Sequence, residues 1–285
     1  MNTVAGLLAG SGLPRTEASR LAAFVLGRGR AFIAAHPEFE IEADTAGALA
    51  DLFARRRAGE PLAYVTGERE FYGLSLRVGP EVLIPRPETE LLVERALVSI
   101  AARAAPRILE LGTGSGAIAI ALALARKDAD VLATDISPAA LAIARENVRR
   151  HGARVRLMES DWFSAPGLED ERFDLVVSNP PYVPEADPHL LLGDVRFEPR
   201  RALVGGREGL DCIRRIAGAA PAHLLAAGRL MFEHGWDQGA ACVAMLNDLG
   251  YEEVIDTSDL AGHPRICEGC VGRPGTVFDR RSSLE

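Results

Sequence analysis

The chain has few cysteines, no excess of positive charge and no long hydrophobic run, and each deficit excludes a class of protein. Four cysteines in 285 residues are too few for the disulfide framework of a small secreted protein. A formal net charge of -8 gives no general affinity for nucleic-acid phosphates, which depends on lysine and arginine. No stretch reaches the roughly 18 uninterrupted apolar residues of a membrane-spanning helix. We therefore expect a protein without membrane association.

The N-terminal segment and the spacing of the cysteines indicate in which cellular compartment the protein acts. The segment MNTVAGLLAGSGLPRTEASR lacks the charged start and apolar run of a secretion signal. Cys267 and Cys270 form a C-x-x-C pattern, but no second pair of ligands follows at the spacing of a zinc site. We therefore expect a cytoplasmic protein with free thiols and no bound metal.

The apolar pattern divides the chain into a helical part and a longer mixed part. Up to about Tyr72, apolar residues recur every three or four positions, and glycines and prolines separate several short helices. In the segment 71–84, apolar and polar residues alternate on either side of Gly79 and Pro80. This pattern predicts a hairpin that turns at these two residues. We predict a helical domain over 1–72, a hairpin linker over 73–87 and a larger α/β domain over 88–285.

Strands and helices alternate through the larger part. The predicted strands cover 107–111, 131–135, 155–159, 173–178, 229–234 and 251–256, with a last one within 265–278. The predicted helices cover 87–104, 115–127, 138–150, 210–225 and 238–249. Such alternation is typical of a parallel sheet that is covered by helices on both faces.

A glycine-rich turn follows the first strand of this sheet. It consists of Gly112, Thr113, Gly114, Ser115 and Gly116. Glycines let a backbone approach a ligand closely, and the next helix begins with free N–H groups. A tight structural connection would also explain the pattern. Its third glycine comes one residue earlier than in the G-x-G-x-x-G fingerprint, which argues against NAD.

Two further strand ends carry side chains that suit a nucleoside. Asp135 ends the second strand, where a carboxylate can accept both hydroxyl hydrogens of a ribose. Asp161 and Trp162 follow the third strand, where the carboxylate can accept from the adenine amine and the indole can contact the ring. A helix-capping aspartate and a core tryptophan are the structural alternatives.

The fourth strand ends in an unusual sequence, Asn179-Pro180-Pro181-Tyr182. Neither proline can donate to a sheet ladder, so strand pairing stops and the backbone behind Asn179 is stiff. Glu233 and His234 end the fifth strand. We interpret them as polar strand-end residues, because no nucleophile accompanies them in the pattern.

Several motifs together resemble a known family. NPPY resembles the motif of enzymes that transfer a methyl group from S-adenosylmethionine to a planar exocyclic nitrogen, and ELGTGSG resembles the glycine-rich motif of class I methyltransferases. LIPRPETELLVE, SDWF and DPHLLLGDVRFEPRRAL narrow the resemblance to the release factor glutamine methyltransferases. The resemblance implies a Rossmann-like, mostly parallel seven-stranded sheet with an N-terminal helical bundle that docks the substrate. It also implies S-adenosylmethionine as cofactor, S-adenosylhomocysteine as product and class 1 peptide chain release factors as partners.

The resemblance also assigns roles to the candidate residues. Cofactor binding falls to Gly112, Thr113, Gly114, Ser115, Gly116, Asp135, Asp161, Trp162 and Asn179, and catalysis and substrate binding to Asn179, Pro180, Pro181 and Tyr182. An amide nitrogen is a poor nucleophile because its lone pair is delocalised, so orientation must assist it. The Asn179 side-chain oxygen and the Pro180 carbonyl can each accept one hydrogen of the target NH2. Tyr182 offers a flat wall to the planar amide.

Two alternatives remain open at this point. The same NPPY residues occur in enzymes that methylate adenine or cytosine, and a non-catalytic protein could use the fold only to bind the cofactor. A base-flipping enzyme would need a basic surface and usually a recognition module. Because this chain is acidic, we favour a protein substrate, and we expect a monomer that forms no stable complex with nucleic acid. Arg196, Glu198 and Arg200 follow the NPPY loop and are interpreted as residues that order it.

Overall fold

Five short helices form the N-terminal part of the computed structural model, which describes residues 2–272. They are α1 (Val4–Gly10), α2 (Arg15–Leu26), α3 (Arg30–Ala35), α4 (Ala43–Arg57) and α5 (Leu62–Thr66). Apolar residues at helical spacing pack into one core, which includes Leu21, Leu49 and Phe53. This part of the chain is helical, as the periodicity predicted.

A short hairpin follows the helices, and the sequence prediction placed its turn wrongly. The antiparallel strands are β1 (Glu68–Phe71) and β2 (Leu74–Arg77). They turn at Tyr72 and Gly73, whose φ angles of 50° and 73° are both left-handed, as a two-residue hairpin turn requires. Gly79 and Pro80, the predicted turn, instead follow β2, where Val82 N–H donates to the Gly79 carbonyl at 3.1 Å.

Seven strands form the central sheet. They are β3 (Arg107–Leu111), β4 (Asp130–Asp135), β5 (Val155–Glu159), β6 (Phe173–Ser178), β7 (Leu224–Glu233), β8 (Glu252–Ser258) and β9 (Pro264–Cys270). Their order across the sheet is β5-β4-β3-β6-β7-β9-β8, and β9 alone runs antiparallel to the other six strands. The predicted parallel sheet is confirmed.

Helices cover both faces of this sheet. They are α6 (Glu90–Ser99), α7 (Ala117–Ala125), α8 (Pro138–His151), α9 (Asp211–Ala219) and α10 (Gly239–Asp248). Alternate strand residues face opposite sides, so Ile108 belongs to the core under α6 and α7, and Leu109 to the core under α9 and α10.

The predicted helix over 210–225 is too long. Helix α9 ends at Ala219, a 3-10 turn covers Ala220–His223, and β7 begins at Leu224. Pro221 lies in that turn, and its ring nitrogen cannot continue the α-helical hydrogen bonds. Strand β7 therefore begins at Leu224, earlier in the chain than the predicted strand over 229–234.

The C-x-x-C pair lies on β9. Cys267 and Cys270 are both buried and free, and their separation of three places them on opposite faces of the strand. Within residues 2–272, no group of three or more His, Cys, Asp or Glu side chains is arranged to hold a metal ion. The part of the predicted last strand beyond residue 272 lies outside the described residues. No helix in the described range has the length and apolarity to cross a membrane.

Arg56, near the end of α4, links the helical part to the sheet part. Its guanidinium donates to Glu17 at 2.8 Å and to Asp194 at 3.1 Å. Asp194 belongs to the loop that follows β6 and the NPPY sequence. The helices are thus held against the loop that borders the site described next.

Candidate active site

The carboxyl ends of β3, β4, β5 and β6 meet around a cavity of about 300 Å³. Among the predicted site residues, those that line it are Gly112, Thr113, Gly114, Ser115, Asp135, Asp161, Trp162, Asn179 and Pro181. Gly116, Pro180 and Tyr182 do not line this cavity. Four separate stretches of sequence are therefore brought to one edge of the sheet, as the carboxyl ends of parallel strands dictate.

The glycine turn has a backbone that needs its glycines. Gly112 and Gly114 have φ angles of 72° and 54°, in the left-handed region that side chains disfavour. Gly116 has a φ of 85°, and a Cβ there would lie 3.1 Å from Ile120 and 3.4 Å from Ala144. Gly112 and Gly114 therefore shape the cavity wall, whereas Gly116 allows α7 and α8 to pack closely.

Asp135 holds this turn in place. One carboxylate oxygen accepts from the Gly114 N–H at 2.8 Å, and the other accepts from the Ser137 N–H at 2.8 Å. Ser137 itself caps α8 by accepting from the Ala140 N–H. Burial raises the pKa of the Asp135 carboxyl, although these hydrogen bonds oppose the rise. Each oxygen retains a further lone pair with which it can accept from a ligand.

Asp161 and Trp162 line the cavity after β5, the strand beside β4. The Asp161 carboxylate accepts from Arg215 of α9 at 3.1 Å, a partner that the sequence pattern did not reveal. Trp162 has a left-handed φ of 55°, and its ring would lie 3.7 Å from a Cβ built on Gly112. The indole is half-buried and forms part of the cavity wall, so it is not simply a core residue.

Glu110 is a cavity residue that the sequence prediction omitted. It is buried within β3, and its Oε2 accepts from the Thr113 hydroxyl at 2.7 Å and from the Ala119 N–H at 3.0 Å. Its other oxygen, Oε1, is buried without a hydrogen-bond partner. Burial raises the pKa of Glu110 to about 8. The available signal was a lone acidic residue in an otherwise apolar strand that leads into the glycine turn.

Asn179 belongs to a chain of hydrogen bonds that leads from the cavity to the buried Glu233. Its Nδ2 donates to the Thr89 hydroxyl oxygen at 3.0 Å, and the Thr89 hydroxyl donates to Glu233 Oε2 at 2.6 Å. The Tyr182 hydroxyl donates to the other Glu233 oxygen at 3.0 Å. Thr89 and Glu233 are both buried, and burial raises the pKa of Glu233. Glu233, interpreted from the sequence as a polar strand-end residue, does end β7 and also contacts the side chains of Thr89 and Tyr182.

His234, the neighbour of Glu233, faces a different set of groups. Its Nδ1 lies 2.8 Å from the Gly235 carbonyl, and its Nε2 lies 3.1 Å from Asp256. Both ring nitrogens thus contact groups outside the cavity lining. For His234, the structure fits the interpretation as a polar strand-end residue.

A second cavity of about 220 Å³ adjoins the first. Its lining includes Tyr182, and the residues shared by both cavities are Leu83, Arg86, Asn179 and Ala202. Buried Glu198 accepts from the Ile84 N–H at 3.1 Å and also pairs with Arg86. Glu198 thus ties the loop after β6 to the segment before α6. This contact fits the expectation that Glu198 orders the loop.

The fold and the site define a class of protein. The chain matches the family model "Methyltransferase small domain" over residues 87–194 and "PrmC N-terminal domain" over residues 3–67. A methyltransferase from Pyrococcus furiosus has a similar fold, with a TM-score of 0.54 and 21% identity over 78% of this chain and 99% of its own. The hMettl16 catalytic domain in complex with MAT2A 3'UTR hairpin 1 aligns with a TM-score of 0.59 and 15% identity, over 88% of this chain and 93% of its own. This is the class I S-adenosylmethionine-dependent methyltransferase fold.

Curated relatives identify the family within this class. A release factor glutamine methyltransferase of Bordetella pertussis is 53% identical over 94% of this chain and 99% of its own length. Those of Vibrio cholerae and Escherichia coli are 48% and 44% identical, over 91% and 90% of this chain and 91% and 92% of their own. The chain belongs to the release factor glutamine methyltransferase family. These relatives do not favour the nucleic-acid alternative.

Proposed function

We propose that this chain transfers a methyl group from S-adenosylmethionine to the side-chain amide nitrogen of a release-factor glutamine, the one in the Gly-Gly-Gln loop of class 1 factors. Such methylation tunes translation termination. The observation that carries the proposal is the position of Asn179, which lines both cavities. A methyl donor in one cavity and an amide in the other would meet at this residue.

The first cavity suits the cofactor. The Gly112 and Gly114 turn allows close approach of a ligand, Asp135 offers acceptors to ribose hydroxyls, and Asp161 with Trp162 suits adenine. Oε1 of Glu110, buried without a partner, matches the ammonium group at the amino-acid end of the cofactor. When bound, S-adenosylmethionine supplies a methyl group activated by a positively charged sulfur and leaves as S-adenosylhomocysteine.

The NPPY loop suits a planar amide. Among residues 2–272, neither Asn179 Oδ1 nor the Pro180 carbonyl accepts a hydrogen bond, so both are available to one target NH2. Pro181 restricts the backbone of residue 180, which fixes the direction of that carbonyl. Two fixed acceptors would aim the nitrogen at the methyl group and favour the positive charge that develops there.

Tyr182 and the second cavity suit the rest of the acceptor. The Tyr182 hydroxyl is held by Glu233, so the ring has a fixed position in the wall of this cavity. A flat wall beside the acceptor site limits how a planar amide can rotate. We therefore place the glutamine side chain in the second cavity, with its nitrogen at Asn179.

The remaining expectations belong to the same proposal. We propose a docking domain over 1–72, a linker over 73–87 and a catalytic domain over 88–285. The protein would act in the cytoplasm as a monomer, without stable nucleic-acid binding. Light scattering of the purified protein tests whether it is a monomer. Removal of the helical part tests the docking role, and it should raise KM for the release factor more than it changes the affinity for the cofactor.

The proposal is tested by one labelling experiment. The protein is incubated with S-adenosylmethionine that carries a labelled methyl group, a class 1 release factor, and RNA or DNA. We expect label on the release factor alone, and none when the loop glutamine is replaced by alanine. Label on nucleic acid would support the nucleic-acid alternative, and cofactor binding without any label transfer would support a non-catalytic role.

A further inference from the structure

The hydrogen-bond chain from Asn179 to Glu233 has a direction. While Glu233 is ionised, its carboxylate only accepts hydrogen bonds, so both hydroxyls that contact it donate to it. The Thr89 hydroxyl has one hydrogen, and that hydrogen is committed to Glu233 at 2.6 Å. Only an acceptor lone pair of the Thr89 oxygen then remains for Asn179.

This direction decides which end of the Asn179 amide faces Thr89. The group 3.0 Å from the Thr89 oxygen is the Asn179 nitrogen, which donates to it. The Asn179 oxygen must then lie on the other side of the amide. We propose that Thr89 and Glu233 are positioning residues that hold the Asn179 carboxamide with its oxygen toward the substrate. This inference rests on the proposed methyl transfer. Thr89 lines the first cavity and Glu233 lines neither cavity, and the role assigned to both residues is to hold Asn179.

The opposite orientation would be inactive. If Asn179 were rotated by half a turn about its last bond, its NH2 would face the NH2 of the substrate. Two donors would then oppose each other, and the substrate nitrogen would lose one of its two acceptors. An asparagine amide is nearly symmetric in shape, so packing alone distinguishes its two ends poorly. A polar partner of fixed direction provides the distinction.

The three members come from distant parts of the chain. Thr89 ends a 3-10 turn before α6, Asn179 follows β6, and Glu233 ends β7. The sheet places β6 beside β7, and Leu92, Val93 and Ala96 of α6 are packed into the core over the sheet. Because each member is anchored by a different buried element, the chain of hydrogen bonds is rigid.

Single substitutions give a first test. Thr89→Val keeps the shape and removes the hydroxyl, so we expect kcat to fall about tenfold or more while the Kd for S-adenosylhomocysteine changes less than about twofold. Thr89→Ser should restore most of the lost kcat, because it returns the hydroxyl. Thr66→Val is the matched control, since its hydroxyl contacts only backbone groups of α5 and of the start of β1 and its loss should leave kcat unchanged. Equal kcat for Thr89→Val and the parent protein would overturn the inference.

A pair of substitutions that reverses the direction of these hydrogen bonds gives the sharper test. In Asn179→Asp, two carboxylates compete for the single Thr89 hydrogen, and kcat should fall strongly. In Glu233→Gln, the new amide can donate to Thr89, so Asn179 can adopt both orientations and kcat should fall. In the double variant Asn179→Asp and Glu233→Gln, the new amide at position 233 donates to the Thr89 oxygen, and the Thr89 hydroxyl donates to the new carboxylate at position 179. The other oxygen of that carboxylate then faces the substrate. The double variant should therefore be about tenfold more active than Asn179→Asp alone.

The outcomes separate the inference from the proposed function. If the parent protein methylates a release factor and the two substitutions act additively, the positioning role is wrong and the function stands. If the parent protein methylates nothing, the function is wrong, and exchange of the Asn179 side-chain amide hydrogens still tests the geometry by NMR. We expect one of these hydrogens to exchange slowly in the parent protein and faster in Thr89→Val. Equal exchange rates in the two proteins would overturn the inference in either case.

Discussion

A carboxylate oxygen of Asp135 accepts a hydrogen bond from the Gly114 N–H at 2.8 Å. The residue that we assign to the ribose therefore also holds the glycine turn that leads into α7. One side chain thus couples two walls of the first cavity. Its removal affects cofactor binding through lost contacts and through a loosened turn.

Cofactor affinity should therefore depend strongly on Asp135. We expect Asp135→Ala to weaken S-adenosylhomocysteine binding by about tenfold or more, measured by calorimetry, since the ribose loses a charge-assisted partner. Asp130→Ala is the matched control, because Asp130 begins the same strand at its other end and pairs with Arg156. Unchanged affinity in Asp135→Ala, or equal losses in both variants, would count against the ribose assignment.

Asn179 should separate catalysis from cofactor binding. Asn179→Ala removes an acceptor of the substrate NH2 but none of the groups assigned to the ribose or adenine. We expect methyl transfer to stop while cofactor affinity stays within about tenfold, or about 1.4 kcal/mol. Full activity of this variant in the labelling assay would refute the aiming role of Asn179.

Glu110 should release a proton when the cofactor binds. Burial raises its pKa to about 8, so it is mostly protonated at neutral pH in the free protein. A cofactor ammonium beside Oε1 would stabilise the charged form and lower this pKa. Calorimetry in buffers of different ionisation enthalpy should show release of up to about one proton at pH 7 in the parent protein. Glu110→Gln should show none, and equal proton release in both proteins would contradict the assignment.

The same shift has a consequence for stability. The folded-state pKa of Glu110 lies above its ordinary value, so its contribution to stability is fully present below about pH 4.5 and is lost as pH rises through about 8. The unfolding free energy of the free parent protein should therefore fall more between pH 6 and pH 8.5 than that of Glu110→Gln, by about 2 to 3 kcal/mol. If urea unfolding gave the same pH dependence of the unfolding free energy in both proteins, the pKa of Glu110 would not be raised.

Glu233 should set an acidic limit to activity. Burial raises its pKa, and the Thr89 and Tyr182 hydroxyls and the Arg265 charge oppose the rise, whereas Glu88 adds to it. A protonated Glu233 could donate to Thr89, and the direction of the hydrogen bonds to Asn179 would no longer be fixed. We therefore expect kcat to fall as pH decreases through this raised pKa. This loss of kcat at low pH should be absent in Glu233→Gln. If kcat falls in the same way at low pH in both proteins, another group causes the loss.

The sheet and the glycine turn could be predicted from the sequence. Strands β3 and β6 lie at the centre of the sheet and are buried on both faces, so each is a short apolar run that ends in a polar loop. Parallel strands place their carboxyl ends at one edge, which brought Gly112, Asp135 and Asn179 together without any further information.

Other features depended on contacts that no local pattern records. The hairpin turn uses Tyr72 with a φ of 50°, a conformation that its residue type does not suggest. Thr89 and Glu233 are 144 positions apart, and only the folded chain shows that they meet. Asp161 pairs with Arg215 from a helix whose surface charges resemble any solvent-exposed face. Tertiary packing, and not local propensity, determines these parts of the site.

The most direct test is the structure of a ternary complex with S-adenosylhomocysteine and a class 1 release factor. We expect the sulfur in the first cavity and the glutamine side chain in the second, with its nitrogen hydrogen-bonded to Asn179 Oδ1 and the Pro180 carbonyl. A glutamine bound away from Asn179, or an Asn179 whose oxygen faces Thr89, would contradict this account.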